Sequence, residues 1–390
     1  MPAEAIATAI DAATPAPEEK GLPLAHELAF VMLMLITIGL VMVASTSFPA
    51  SAASSFPFSL LVKQLGFLGL GLALFFVVVY LIPSERALVI TAWGGLLVSF
   101  ALMGWAAAVG GDHGNRAWTP ALGPIPSFQP SEMAKILLVM VGASLFGRRP
   151  IKSLFQKEML IFLLLAVVAM GLLAWQHDLG MLALFAALVM MMLFISGMSL
   201  LQWGVMAILA FAAVIVGIQQ ASYRVERVAA WLHPENYYPD GAGYQIMHNL
   251  IAIARGAVRG LGLGRSPDKF GALPNVTTDS VFPVLAGETG LWGTALLLFA
   301  FGWLLVLSYY IAAQSRSRLQ WFLALGCGLT LALQAAIQIT VAVNWLPCAG
   351  LTLPFISYGG TSIIASCLAM GGLMWVARRA KPAATPAVLD

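Results

Sequence analysis

Apolar residues come in long runs, each near the length a helix needs to cross a hydrocarbon layer and separated by short polar or Gly/Pro-bearing breaks. The runs are Leu24 to Ala44, Leu60 to Ile82, Leu88 to Val109, Glu132 to Phe146, Met159 to Trp175, Leu179 to Ile195, Leu200 to Ile218, Glu288 to Ala312, Trp321 to Val343 and Ile356 to Val376. The stretch 160–218 is nearly unbroken and divides at Gln176-His177-Asp178 and at Ser196-Gly197. This pattern predicts an all-α polytopic integral membrane protein of about ten transmembrane helices. One interval breaks the rhythm. Residues 221–287 form a large outer, extracellular loop, in which Ile246, Met247, Leu250, Ile251, Ala254, Ala257 and Val258 recur at helical spacing. With His248, Ala252, Arg255 and Arg259 on another face, this is an amphipathic helix lying at the membrane surface. The expected organisation is a disordered cytoplasmic tail over 1–23, a membrane domain over 24–377 and a second cytoplasmic tail over 378–390. No internal repeat of the kind that builds many carriers is visible.

Composition agrees with this class. Sixty per cent of residues are hydrophobic and 9% charged, against about 25% charged in soluble domains. The net charge of +3 matters less than where the basic residues lie. Arg86, Arg148, Arg149, Lys152, Lys157, Arg316, Arg318, Arg378, Arg379 and Lys381 all fall on one side if both termini are cytoplasmic, while the short outer loops hold only Arg116. The first 23 residues lack the basic start and short apolar core of a cleavable signal, so the first span is expected to stay as an anchor. Cys327, Cys348 and Cys367 are odd in number and widely spaced, suggesting neither a disulfide framework nor a metal site. Nothing points to a nucleic-acid partner.

Candidate chemistry sits at the ends of the runs. Asp279 precedes the run at Glu288; an acid held where water meets hydrocarbon is costly to ionise, and serves either chemistry or helix capping. Pro130 suits a first helical turn, and Glu132 and Lys135, three apart, share a face as a functional or a structural ion pair. Asp178 is placed to cap the next span, beside His177. Arg255 and Arg259, four apart, suit a phosphate or anionic head groups. Gly260, Gly262 and Gly264 do not follow a dinucleotide-binding pattern and suit a tight turn. Pro354, Ser357, Tyr358, Gly359 and Gly360 imply non-helical backbone, buried in protein or lining a wet cavity.

In their order these stretches resemble the SEDS family, the FtsW, RodA and SpoVE proteins, over essentially the whole chain. Gln129-Pro130-Ser131-Glu132-Met133-Ala134-Lys135 is similar to the family's Gln-Pro-Ser-Glu-x-Ala-Lys motif. Gly243-Tyr244-Gln245, the Gly260 to Gly264 run, the Leu-Pro-x-x-x-Thr-Asp run ending at Asp279 and the stretch Leu353 to Ser362 match in the same sequence. Gly350-Leu351-Thr352-Leu353-Pro354 is closer to FtsW or SpoVE than to RodA. Departures from the family pattern are Thr277 for His, Ser280 for Phe, Asn275 for Glu, Thr289 for a second Glu, His177 for Pro, Ala117 for Arg and Ala349 for a frequent Lys, which marks a divergent, FtsW-like member.

The resemblance implies a peptidoglycan glycosyltransferase that polymerises lipid II, an undecaprenyl-pyrophosphate-linked disaccharide peptide, at the outer face of the bacterial cytoplasmic membrane, in cell division. It implies a class B penicillin-binding transpeptidase and other divisome or elongasome proteins as partners. Asp279 is the expected general base. Glu132, Lys135, Arg116, Asp178, Arg255 and Arg259 are expected to meet substrate, and Gln129, Pro130, Pro354, Ser357, Tyr358, Gly359 and Gly360 to shape the site. No cofactor or fixed metal motif is evident; a divalent cation held by carboxylates is compatible with the residues. A precursor flippase and a non-catalytic scaffold are the alternatives, and a flippase needs no proton acceptor at Asp279.

Overall fold

The computed structural model describes residues 21–50, 58–110, 116–121, 126–151, 153–219, 222–238, 241 and 243–380. The expected tail through residue 20, Lys152 and the tail beyond residue 380 lie outside them. A long helix stands on each apolar run: α1 (Gly21–Ala50), α2 (Ser59–Phe76, continued by a π turn over Val77–Leu81), α3 (Glu85–Val109), α4 (Pro130–Phe146), α5 (Lys157–Gln176), α6 (Leu179–Ile195) and α7 (Leu200–Gln219). The outer segment holds α8 (Ser222–Leu232) and α9 (Gly243–Gly256); α10 (Val281–Ala313), α11 (Arg318–Ala342) and α12 (Gly360–Ala377) complete the chain. Among the described residues there is no strand. Seven of the helices are long and apolar enough to cross a membrane, and α6 and α7 carry shorter apolar stretches.

The bundle is organised around α4 and α12. Every residue of α4 except Met133 is buried, and so is every residue of α12 except Gly360 and Ile364. A helix apolar all round is one covered on all sides. Here α4 packs against α3, α5, α6, α11 and α12, while α2 and α11 close on α12. At one end Phe146 sits edge-on to Phe162 of α5 and Phe322 of α11.

The ends of the helices follow local chemistry. Ser84 accepts from the Ala87 amide and Ser317 from the Gln320 amide, capping α3 and α11. Between α5 and α6 the chain turns in two residues: His177 takes a left-handed φ of 62°, and Asp178 accepts from the Met181 amide.

Several expected boundaries move, and three of the starts bear on the fold. The first helix starts at Gly21 rather than Leu24. The last starts at Gly360 rather than Ile356, because Pro354 and a left-handed Phe355 (φ 65°) keep the preceding segment irregular. The helix expected from Glu288 starts seven residues earlier, at Val281, and is bent at Gly290 (φ 65°, ψ −157°). That bend frees backbone groups, and the Gly-rich turn after α9 takes them up. Leu261 and Gly262 donate to the Gly287 and Glu288 carbonyls (3.0 and 2.9 Å), and Leu291 donates to Ala257 (3.0 Å).

The helix α9 also differs from its expected orientation. Its buried face is Gly243, Ile246, Asn249, Ala252 and Gly256, so Ala252, assigned to the polar side, is inside. Small residues allow α9 to lie on α10: a Cβ at Gly256 would stand 2.1 Å from the Ala286 carbonyl oxygen. A protein surface, not a lipid surface, sets this face.

Gly290→Ala tests the bend. A side chain there adopts a left-handed φ and meets the Gly260 amide nitrogen at 2.4 Å, so a loss of about 2 kcal/mol or more is expected. Gly171→Ala, whose Cβ meets nothing within 4 Å, is the control. Thermal unfolding in detergent should show a lowered midpoint for the first variant only.

Candidate active site

A cavity of about 600 Å³ opens between the ends of α4, α6 and α12 and the loop that leads into α10. Its wall carries three carboxylates, Glu132, Asp178 and Asp279, and one Arg, Arg227.

Asp279 stands on the loop before α10, and the fixing of this loop is backbone work. Gln338 of α11 donates to the Asp279 carbonyl (2.7 Å), the Ser357 hydroxyl donates to the Thr278 carbonyl (2.7 Å), and the Tyr358 amide donates to the Thr277 carbonyl (2.8 Å). The Asn275 carbonyl, in a left-handed residue (φ 52°), receives the amides of Thr278 and Ser280. These bonds hold the chain on either side of the carboxylate, which faces the cavity. Capping does not explain Asp279, because the residue flanking α10 is Ser280 and it makes no side-chain cap bond. Burial pushes the Asp279 carboxyl up to about 6; the Thr278 hydroxyl opposes this and the Asp178 charge adds to it.

The second acid does cap a helix. Asp178 gives one oxygen to the Met181 amide (3.0 Å) and the other to the Gln129 amide group (2.8 Å). Burial raises its pKa and the Glu132 charge adds to the rise, while the Met181 amide and Gln129 pull it down. Gln129 thereby links α6 to α4, and its own amide reaches the Thr361 hydroxyl of α12 (3.1 Å).

The third acid is locked. Glu132 pairs with Lys135 one turn on, both 2% exposed, and Lys135 also donates to Gln334 of α11 (2.6 Å). Gln334 donates to the Thr352 carbonyl (2.9 Å), and the Thr352 hydroxyl meets that of Ser362 (2.7 Å). Glu132 reaches the cavity wall, and Lys135 lies behind it. Pro130 opens α4 beneath Gln129.

The irregular segment before α12 is satisfied internally, as membrane depth requires. Gln64 of α2 donates to the Ser357 carbonyl (3.3 Å) and accepts from the Gly359 amide (3.2 Å), and the Ser357 hydroxyl accepts from the Leu353 amide (2.9 Å). Tyr358 and Gly359 line the cavity; Pro354 and Gly360 serve the segment's shape.

The remaining cations expected at the site lie elsewhere. Arg255 pairs with buried Asp268, and Arg259 is exposed beyond the end of α9; neither lines the cavity. Arg116 is exposed next to Ala117 and Trp118, which do line it. Arg227 was not singled out from the sequence, although its place three residues after Arg224 on a short polar helix was the available signal. A separate buried knot joins Lys269 to Glu288 (2.9 Å) and to Ser45 of α1 (2.8 Å), fastening the outer loop to α10 and α1.

Helical bundle and acid-lined cavity together define a polytopic membrane protein with a polar site at one end of its helices. The chain belongs to the family described as the FtsW, RodA and SpoVE cell cycle proteins, whose model matches residues 26–382. Among curated relatives, a probable peptidoglycan glycosyltransferase FtsW of Coxiella burnetii is 36% identical over 357 residues, covering 88% of this chain and 94% of the relative. Its counterpart in Neisseria gonorrhoeae is 31% identical over 382 residues, covering 88% and 82%. Among solved structures, a chain of a peptidoglycan synthase complex, described as coordinating polymerization and crosslinking, superposes with a TM-score of 0.72 at 30% identity, covering 90% of this chain and 97% of that one. The rod shape determining protein RodA of Thermus thermophilus gives 0.66 at 27% identity, covering 90% and 96%.

Lys135→Met would leave Glu132 buried without its cation, at a cost of about 3–5 kcal/mol. Adding Glu132→Gln removes the orphaned charge and should recover a large part of that loss. Unfolding midpoints in detergent check both, and equal midpoints for all three proteins would show that the pair carries no stability.

Proposed function

We infer that this chain is a peptidoglycan glycosyltransferase that polymerises lipid II at the outer face of the cytoplasmic membrane, in cell division, and works beside a class B penicillin-binding transpeptidase. The observation that carries the reading is Asp279: a carboxylate whose backbone is fixed on three sides, set on the wall of a polar cavity at the ends of the spans. The names of the relatives support the same activity, and the synthase-complex neighbour supports the transpeptidase partner.

The chemistry follows from what each group can do. A sugar hydroxyl attacks the anomeric carbon of a second sugar chain linked to a lipid diphosphate. As the new C–O bond forms, the hydroxyl proton passes to Asp279, and the bond to the diphosphate breaks with its electron pair going to the diphosphate oxygen. A base with a pKa near 6 is ionised at neutral pH and still accepts a proton readily. Asp178 and Glu132 are poor metal ligands here, since Asp178 spends both oxygens on Met181 and Gln129 and Glu132 is neutralised by Lys135. A flippase offers no use for a fixed, half-buried base.

The topology that goes with this reading has ten spans and both termini in the cytoplasm, putting the cavity outside. In a Cys-free background, Leu263→Cys, in the exposed turn after α9, should label from outside the cell, and Ser266→Cys, wholly buried, should not. Labelling at Leu263 only after permeabilisation would overturn the orientation.

Asp279→Asn should lower lipid II polymerisation about 100-fold or more. Because burial disfavours the ionised acid, removing the charge should leave the unfolding midpoint unchanged or raised. In the unaltered protein the rate should fall as pH drops through about 6, where the base takes its proton, and level off above it. A stable Asp279→Asn protein of full activity refutes the base role.

A further inference from the structure

Beside the cavity the outer segment gathers a cluster of rings that the reaction above does not use. A 3-10 turn over Pro234–Tyr237 packs on both α8 and α9. Its close seat on α9 needs a residue without a side chain: a Cβ at Gly243 would stand 2.4 Å from the Pro234 carbonyl oxygen. That approach brings Tyr238, just after the turn, onto the start of α9. The Tyr238 and Tyr244 rings are parallel to within 12°, with centroids 6.3 Å apart. His248, one helical turn beyond Tyr244, lies 4.3 Å from the Tyr244 ring and 5.9 Å from that of Tyr238.

Two rings hold Tyr238, yet it is still 43% exposed. Glu235 and Asn236, on the turn that leads to it, are exposed as well. A held ring with polar neighbours suits a sugar. The negative face of the aromatic ring attracts the C–H groups on one side of a pyranose, which its oxygens polarise, while the hydroxyl and amide groups at the sugar's edge meet polar side chains. Because the ring is already ordered, little side-chain freedom is lost on binding. The cluster also borders the candidate active site. Gln245, next to Tyr244, donates from Nε2 to the Ser280 hydroxyl (3.4 Å), one residue from Asp279. On the other side of the turn, α8 lines the cavity through Arg227.

We propose that Tyr238, backed by Tyr244 and His248, is a stacking platform for a sugar ring of the glycan strand as it leaves the cavity. A strand extended at Asp279 must pass out over whatever borders the site. A neutral stacking contact holds it without fixing its register, since every sugar of the strand offers a C–H face. The same surface suits a glycan better than the lipid diphosphate, because neither tyrosine brings positive charge. The assignment rests on the polymerase reading, and sugar binding is measured apart from polymerisation.

The probe is chitotetraose, a neutral amino-sugar oligosaccharide, titrated into the full-length protein in detergent micelles. The unaltered protein should bind it, and no binding sinks the proposal. Tyr238→Leu, which keeps an apolar side chain but no ring, should weaken binding about 5-fold or more and leave the unfolding midpoint in place. Tyr238→Phe, which keeps the ring, should bind like the unaltered protein. Undiminished binding by Tyr238→Leu overturns the proposal and makes the ring an anchor at the membrane surface; loss of binding by Tyr238→Phe assigns the contact to the hydroxyl and overturns stacking. Should Tyr238→Leu not fold, the unaltered protein decides: bound chitotetraose should shield Tyr238 from iodination mapped by mass spectrometry, and an unshielded Tyr238 refutes the platform. In lipid II polymerisation Tyr238→Leu should make shorter strands, and strands of unchanged length overturn its role in holding the product. A chain that binds chitotetraose through Tyr238 but does not polymerise lipid II would refute the polymerase reading and leave the sugar site standing.

Discussion

An unpaired peptide group or a lone charge inside a bilayer costs several kcal/mol, and the whole molecule answers to that constraint. The site requires irregular backbone and charged side chains near membrane depth, and protein groups hold that backbone and two of the three acids. Gln64 on α2 and Gln334 and Gln338 on α11 reach across to the segments before α12 and α10, giving side-chain amides where water would otherwise be needed. The bend at Gly290 and the turn at Gly260 solve one problem together, since each supplies the hydrogen-bond partners the other lacks. The covered helices α4 and α12 follow from the same demand, because only interior helices can present polar groups to one another away from lipid.

The three acids of the cavity illustrate how environment divides one residue type into different jobs. Glu132 has a permanent cation one turn away and acts as a fixed joint between α4 and α11. Asp178 is half structural: it caps α6 and ties that helix to Gln129. Asp279 is the acid whose fixing bonds fall on the backbone around it, so its carboxylate is held in place without being consumed. That difference, and not proximity to the cavity, separates a candidate base from a brace.

Apolar periodicity made the helices legible, since run length and hydrophobicity act locally. Asp279, Glu132 and Asp178 were legible because a charge in an apolar chain stands out. What the sequence concealed depended on tertiary contact. The buried face of α9 could not be read from polarity, because Gly256 and Ala252 are inside for their size. The start of α10 was set too late, because the polar and Gly-bearing stretch before Gly290 looks like loop until the turn after α9 is seen to satisfy its carbonyls. Arg227 was passed over because nothing local distinguishes it from Arg224; it lines the cavity on a helix docked through Trp231 and the distant Asn344.

The departures from the family pattern make sense in the same terms. Thr277 contributes its carbonyl to Tyr358, and Asn275 contributes its carbonyl to Thr278 and Ser280. Thr289 folds its hydroxyl back onto the Leu285 carbonyl (2.7 Å), a bond that stays within its own helix. His177 needs only to adopt a left-handed turn. At these positions the backbone does the positioning, so the side chain is free to change without moving Asp279. Ala349 is different, because it lines the cavity with its carbonyl packed against Gly180, where a Cβ would stand 1.7 Å from that oxygen. A Lys there would bring a second cation to the wall beside Cys348. With Ala in its place, the positive charge on that side of the cavity comes from α8, and the docking of α8 through Trp231 and Asn344 becomes part of the site rather than a detail of the outer loop.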